Sequence, residues 1–213
     1  MPGEARCPSL LIFDLDGTLY RTDSSFIPTM RQVYGESRVP YPGDAAILSM
    51  VGETFGTFVD WLGPQGFGVG RARLEARIAE LELLSIRERG VLFDGVAETL
   101  RILRERGHVL ALCTNGDRRY TDAVLDRCGL LGSFRHVRTL DAIPSTKAER
   151  IAELRSRYRE RRAFMVGDRY HDVEAARATG CTAVGATYGY ARPGELDEAD
   201  HLIETFADLL ALV

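Results

Sequence analysis

The sequence predicts an α/β fold in which a doubly wound parallel sheet is interrupted by an all-helical insert, and three observations carry that expectation. Four short runs, residues 9–13, 108–113, 163–167 and 181–186, are apolar without alternation, the mark of strands buried on both faces. The segments between them repeat their apolar residues at helical spacing, so strands and helices alternate. From Phe13 to the next helix of that series, near Gly95, is about 80 residues, whereas a crossover needs only about a dozen.

Taken in order, the first strand ends in Asp14-Leu15-Asp16-Gly17-Thr18-Leu19, and the insert follows. Within it, Phe26, Met30 and Val33 predict one helix and Ile47, Val51 and Phe55 a second. Leu74, Ile78, Leu81 and Ser85 predict a third over residues 71–89. The Gly66-Phe67-Gly68-Val69-Gly70 segment follows no strand and fits neither G-x-G-x-x-G nor the Walker pattern, so it is read as a loop between helices. The expected domains are a core of residues 1–19 and 88–213 and a helical domain of residues 20–87. Its two linkers, at Tyr20 and near Gly90, would form a hinge. Beyond the insert, Val96, Leu100 and Leu103 predict a helix stopped by Gly107, and Val124, Leu125 and Cys128 another stopped by Gly129. Weaker strands are expected at residues 134–139 and 201–203.

The chain has 213 residues, 45% of them apolar and 27% charged, enough for a sizeable core. Lys plus Arg total 27 against 31 Asp plus Glu, a formal charge of -4, so no nucleic-acid partner is expected. No apolar run approaches the roughly 18 to 20 residues that span a bilayer, and neither a membrane segment nor a signal peptide is expected. Cys7, Cys113, Cys128 and Cys181 lie far apart, without a Cys-x-x-Cys pair or a His at zinc spacing, which points to reduced thiols and a cytoplasmic setting. Lys147 is the only lysine in the chain.

In open parallel sheets ligands bind outside the carboxyl ends of the strands. Here those ends carry Asp14 and Asp16, then Thr114-Asn115-Gly116, then Gly167-Asp168-Arg169-Tyr170-His171-Asp172, with Lys147 opening a helix after the weak third strand. Taken singly, each is an ordinary turn or cap residue, and a lysine at a helix start is usually solvated. Their coincidence is what signals chemistry. Asp14 and Asp16 would point the same way, and Gly17 would let the backbone approach a ligand. Crowded carboxylates need a cation or a shared proton, and Mg²⁺ accepts a few such oxygens together with waters and a phosphate.

Asp-x-Asp-Gly-Thr after an apolar strand, then Thr-Asn, then Lys, then Gly-Asp-x-x-x-Asp, in this order, resembles the haloacid dehalogenase superfamily of phosphotransferases, and the resemblance spans nearly the whole chain. It implies a Rossmann-like core and a Mg²⁺-dependent hydrolase of small phosphorylated metabolites. In that reading Asp14 is the nucleophile that becomes an aspartyl-phosphate, and Asp16 is the acid for the leaving alkoxide and then the base for water. Thr114 and the backbone amides near Asp16 and Asn115, with Gly17 in the phosphate-binding turn, would hold the phosphoryl oxygens. Lys147 would balance charge. The metal would meet Asp14, the backbone carbonyl of Asp16, and Asp168, with Asp172 bound directly or through water. One departure is that Ala148, not a proline, follows the lysine.

The insert resembles the cap of phosphoglycolate phosphatases and their relatives. Phosphonate cleavage through a cap lysine is excluded, since no lysine stands outside position 147. Asp16, Asp168 and Asp172 argue against halide chemistry. A 5′-nucleotidase, a pyrophosphatase-like hydrolase, a sugar-phosphate mutase and a non-catalytic phosphate-binding module remain as alternatives, although the last would be expected to lose Asp14, Asp16 or Asp168. His171 is expected to be solvated, Tyr188 and Tyr190 to be packing residues, and Arg155, Arg157, Arg159, Arg161 and Arg162 to form a solvated helix end. Arg21, Trp61, Gly52 and Gly56 are candidate cap contacts. The oligomeric state, monomer or homodimer, is not encoded legibly.

Overall fold

The structure, a computed structural model, describes residues 8–140 and 145–213; Cys7 lies outside the described residues. Six parallel strands form one sheet in the order β3-β2-β1-β4-β5-β6. They are β1 Leu10–Phe13, β2 Val109–Cys113, β3 His136–Arg138, β4 Ala163–Gly167, β5 Thr182–Ala186 and β6 His201–Ile203. The expected α/β class is borne out. A period of two explains why the central strands must be apolar throughout. Leu11 and Phe13 of β1, Leu110 and Leu112 of β2, and Phe164 and Val166 of β4 join one core. Leu10, Ile12, Ala111, Cys113, Ala163 and Met165 join the core on the other side.

Helices cover both faces. On the first lie α5 (Val96–Glu105) and α6 (Arg118–Arg127), contributing Val96, Leu100, Leu103, Val124 and Leu125. On the second lie α7 (Lys147–Ser156) and α8 (Tyr170–Thr179), contributing Ile151, Leu154, Val173 and Ala176. A short α9 (Leu209–Leu212) closes the first core through Leu209.

Boundaries shift where polar pairing replaces the ladder. Ser9 and His108 fall outside their strands because the Ser9 amide donates to His108 Nδ1 at 3.1 Å. The expected strand at residues 134–139 shortens to three partly buried residues at the sheet edge. The arginine run also differs from expectation, because α7 ends at Ser156 and only Arg155 belongs to it.

Between β1 and α5 the chain forms α1 (Asp23–Ser37), α2 (Asp44–Leu48), α3 (Phe55–Leu62) and α4 (Arg71–Arg89), which share a separate core around Met30, Tyr34, Ile47, Leu62 and Ile78. The helix expected through Ile47, Val51 and Phe55 is two helices. Gly52, at φ 92°, breaks the spacing, and Thr54 caps the new start by accepting from the Thr57 amide. The resulting loop, residues 49–54, reaches the sheet edge, where Asn115 after β2 donates to the Gly52 carbonyl. The two crossings into the insert run side by side: Tyr20 pairs with Leu92, and the Arg21 amide donates to the Val91 carbonyl at 3.0 Å.

Candidate active site

The strand order reverses between β1 and β4, so their carboxyl ends flank the crevice where open sheets bind ligands. Asp14 follows β1 and Asp168 follows β4, while Thr114 follows β2, and all three are buried. Lys147 is the first residue of α7, whose start is held by a capping box between Thr146 and Glu149. That cap aims the lysine inward. Its Nζ donates to Asp14 Oδ1 at 2.7 Å and lies 2.5 Å from Asp172 Oδ1. Solvation, the ordinary fate of a helix-start lysine, does not apply here.

Asp172 lies in the first turn of α8 and accepts from the Arg169 amide at 3.1 Å through Oδ2. Asp172 therefore caps α8 and at the same time stands beside Asp14 and Asp168 in one acidic cluster. Its Oδ1 meets Lys147 without hydrogen-bond geometry and has no other partner. Asp168 accepts from Thr18 Oγ1 at 3.1 Å and from the Tyr190 amide at 2.8 Å. Carboxylate oxygens of Asp14, Asp168 and Asp172 lie within 4.8 Å of one another. Such a buried triad with an underused oxygen suits a hard divalent cation. Gly17, at φ 77°, makes the approach possible, since a Cβ there would stand 2.1 Å from Asp168 Oδ2.

Asp16 lines the same cavity as Asp14, as expected, but its carboxylate is not part of the triad. Instead its Oδ1 accepts from Thr22 Oγ1 at 2.8 Å and, through a short contact, from the Tyr120 hydroxyl. Burial pushes the Asp16 carboxyl up, against the lowering effect of Tyr120 and Thr22. Burial likewise pushes Asp14 up to about 7, with Lys147 pulling it down and Asp172 and Asp16 adding to the rise. Asp168 goes well above the carboxylate range through burial and then through Asp14 and Asp172. For Lys147 burial works against the charge, but Asp14 and Asp172 outweigh it and hold the amine protonated. Four acids around one lysine leave an excess of negative charge that a cation would relieve.

Thr114 Oγ1 accepts from the Gly116 amide at 3.0 Å, which leaves its own proton free to donate. Asn115 is held on both sides: its Oδ1 accepts from Arg150 Nη2 at 2.8 Å, and its Nδ2 donates to the Gly52 carbonyl at 3.1 Å. Arg150, three residues after Lys147 on the same buried face of α7, escaped the sequence reading, although that spacing could have revealed it. Tyr120 and Glu82 were also missed, because neither belongs to a strand-end motif.

The loop at residues 49–54 is tied to the core at several points. Arg169, almost fully buried, donates to the Val51 carbonyl through a short contact, and its Nε and Nη2 reach Glu195 at 2.7 and 3.2 Å. Arg192 Nη2 donates to the Ser49 carbonyl at 2.6 Å. His171 is not solvated as expected, because Glu53 of this loop half-covers it, with 3.4 Å between Nε2 and Oε2. Tyr190 does more than pack, exchanging hydrogen bonds with Asp23 of the insert, and the Tyr188 hydroxyl donates to the Thr18 carbonyl at 2.9 Å. Of the candidate contacts, Gly52 lines the cavity so close to Arg169 that a Cβ there would stand 2.8 Å from its side chain, Arg21 lines a separate pocket, and Trp61 and Gly56 line neither.

A model of the haloacid dehalogenase-like hydrolase family matches residues 11–186. The chain belongs to this family. Among relatives of this haloacid dehalogenase-like hydrolase, a phosphoglycolate phosphatase from Pseudomonas putida is 31% identical, over 95% of this chain and 79% of that protein. A crystal structure from Haemophilus somnus, described as a predicted phosphoglycolate phosphatase, superposes with a TM-score of 0.87 at 20% identity, covering 96% of this chain and 97% of the other. A candidate beta-phosphoglucomutase from Thermotoga maritima superposes with a TM-score of 0.79 at 22% identity, covering 96% and 99%. At such identities the structures show the shared fold. The expectation of a phosphatase of this superfamily is borne out by the family match and the phosphatase relative.

Proposed function

We propose that this hydrolase is a Mg²⁺-dependent phosphatase that cleaves a small phosphorylated metabolite through an aspartyl-phosphate. The convergence of Asp14, Lys147, Asp168 and Asp172, from three separate segments, on one buried point carries the reading. Asp14, Asp168, Asp172 and the backbone carbonyl of Asp16 would hold the magnesium, which when bound supplies positive charge to neutralise carboxylates and phosphoryl oxygens. Asp14 attacks phosphorus through a carboxylate oxygen as the ester oxygen departs. Lys147 holds Asp14 in place and offsets charge on the phosphoryl group. Thr114 donates its hydroxyl proton to a phosphoryl oxygen, and the Gly17 turn brings backbone amides close.

Asp16 supplies the proton. Both of its hydrogen bonds enter at Oδ1, so Oδ2 is the oxygen left to protonate the departing alkoxide and afterwards to take a proton from the attacking water. Residues 20–87 act as a cap, and closure of the 49–54 loop over the cavity keeps bulk water from the intermediate. The three described cysteines are unpaired and no described helix is long and apolar enough to cross a membrane, which supports placing the enzyme in a reducing cytoplasm.

The decisive experiment assays phosphorylated metabolites with and without Mg²⁺, comparing the natural sequence with Asp14→Asn. Release of phosphate should require the metal and fall by on the order of 10⁴-fold in the variant. Isomerised sugar phosphate without free phosphate would identify a mutase instead.

A further inference from the structure

We propose that Glu82 of α4 selects the alcohol half of the substrate, and that this alcohol is an amino alcohol, so that the substrate carries phosphate at one end and an ammonium at the other. The inference rests on the phosphatase reading above and names its substrate class. The cavity over Asp14, about 160 Å³, is walled on the insert side by apolar side chains, among them Phe26, Phe58 and Leu83. Phe26 and Phe58 meet edge to face at 5.1 Å. Ala79, Glu82 and Leu83 face the cavity from one side of α4, at i, i+3 and i+4 spacing, so Glu82 interrupts this apolar wall with a carboxyl.

Nothing in the mechanism needs that carboxyl. Its surroundings give it no compensation either: burial first, then the charges of Asp16 and Asp117, push it up to about 8. A partly buried acid set in an apolar wall without a partner costs stability, and an arriving cation would remove the cost. The neighbouring aromatic rings favour a cation as well. Among the residues lining the cavity five acids, Asp14, Asp16, Glu53, Glu82 and Asp117, face a single base, the exposed Arg119, while Lys147 is engaged by Asp14 and Asp172. A carboxylate at the far end of the alcohol, as in phosphoglycolate, would meet Glu82 with no buried cation to receive it. An ammonium of about the same reach would be paired.

The test uses the full chain with Mg²⁺ and compares kcat/KM for 2-aminoethyl phosphate, its neutral counterpart propyl phosphate, and phosphoglycolate, with p-nitrophenyl phosphate as a general phosphatase probe. The aminoethyl ester should lead the other two alkyl esters by about 10-fold or more. Glu82→Gln should bring the aminoethyl-to-propyl ratio close to one, and Glu82→Arg should move phosphoglycolate ahead. Equal rates for the three esters, a preference for phosphoglycolate, or a ratio unmoved in Glu82→Gln would overturn the inference while p-nitrophenyl phosphate turnover leaves the phosphatase reading standing. Failure to hydrolyse any of the four esters would overturn both. The comparison of esters on the unaltered chain needs no variant to fold.

Discussion

Asp16 and Glu82 show how environment, not residue type, assigns roles to carboxyl groups. Asp16 is buried beside two hydroxyl donors that both take Oδ1, so its other oxygen can carry the proton that a leaving alkoxide needs. Asp16→Asn should therefore slow alkyl phosphates by about 10²–10⁴-fold and p-nitrophenyl phosphate, whose leaving group needs little protonation, far less. Equal losses on both would remove the acid role. Glu82 gives a prediction about stability. Its carboxyl rises from 4.5 to about 8 on folding, so the folded state binds the proton more tightly than the unfolded state. The stability this provides is complete below about pH 4.5 and is lost as pH climbs through 8. Glu82→Gln has no such dependence. The melting temperature of the variant should gain on that of the parent between pH 5 and pH 8.5 by calorimetry, and parallel curves would show that Glu82 is solvated. Gly17 belongs with these residues because any side chain there would collide with Asp168.

In the proposed mechanism the loop between α2 and α3 is the element that closes the cavity. Val51 and Met50 join it to the insert core, and donors from the sheet side hold its backbone: Arg169 to Val51, Asn115 to Gly52 and Arg192 to Ser49. Arg169 is central, because it is buried and also forms a two-pronged pair with Glu195. Arg169→Ala would leave the Val51 carbonyl without its donor and Glu195 with only the more distant Arg192, a loss on the order of 3–5 kcal/mol for a largely buried pair. With the loop freed, KM should rise more than kcat falls, and limited proteolysis should cut within residues 49–54. A variant cut no faster than the parent would show that the loop is held by other means. On the opposite side of the crevice, α7 acts as one rigid part, carrying Lys147 to Asp14 and Arg150 to Asn115.

Across the whole molecule, the reversal of strand order gathers carboxylates from distant segments into one low-dielectric point, and folding must overcome their repulsion. A metal that binds only this assembled point stabilises the fold by mass action. At about 100 times its dissociation constant the gain is about 2.7 kcal/mol. For a chain of this size that corresponds to a rise in Tm of roughly 5–11 °C. Asp168→Asn should abolish the rise measured by thermal denaturation with Mg²⁺ against a chelator, and a rise that persists in this variant would place the metal elsewhere.

The sequence by itself determined the α/β class, the presence of a helical insert and the set of strand-end residues Asp14, Asp16, Thr114, Lys147, Asp168 and Asp172, because unbroken apolar runs and turn chemistry are local properties readable without coordinates. It also read Asp14 and Asp16 as pointing the same way, and both line one cavity. Tertiary structure alone decided that Asp16 leaves the acidic triad for Tyr120 and Thr22, that His171 is covered by Glu53, that one expected helix splits at Gly52, and that Glu82 enters the cavity wall. Each of these depends on contacts between segments tens of residues apart. Which acid keeps its proton is likewise set by burial and by neighbours that exist only after the chain has closed on itself.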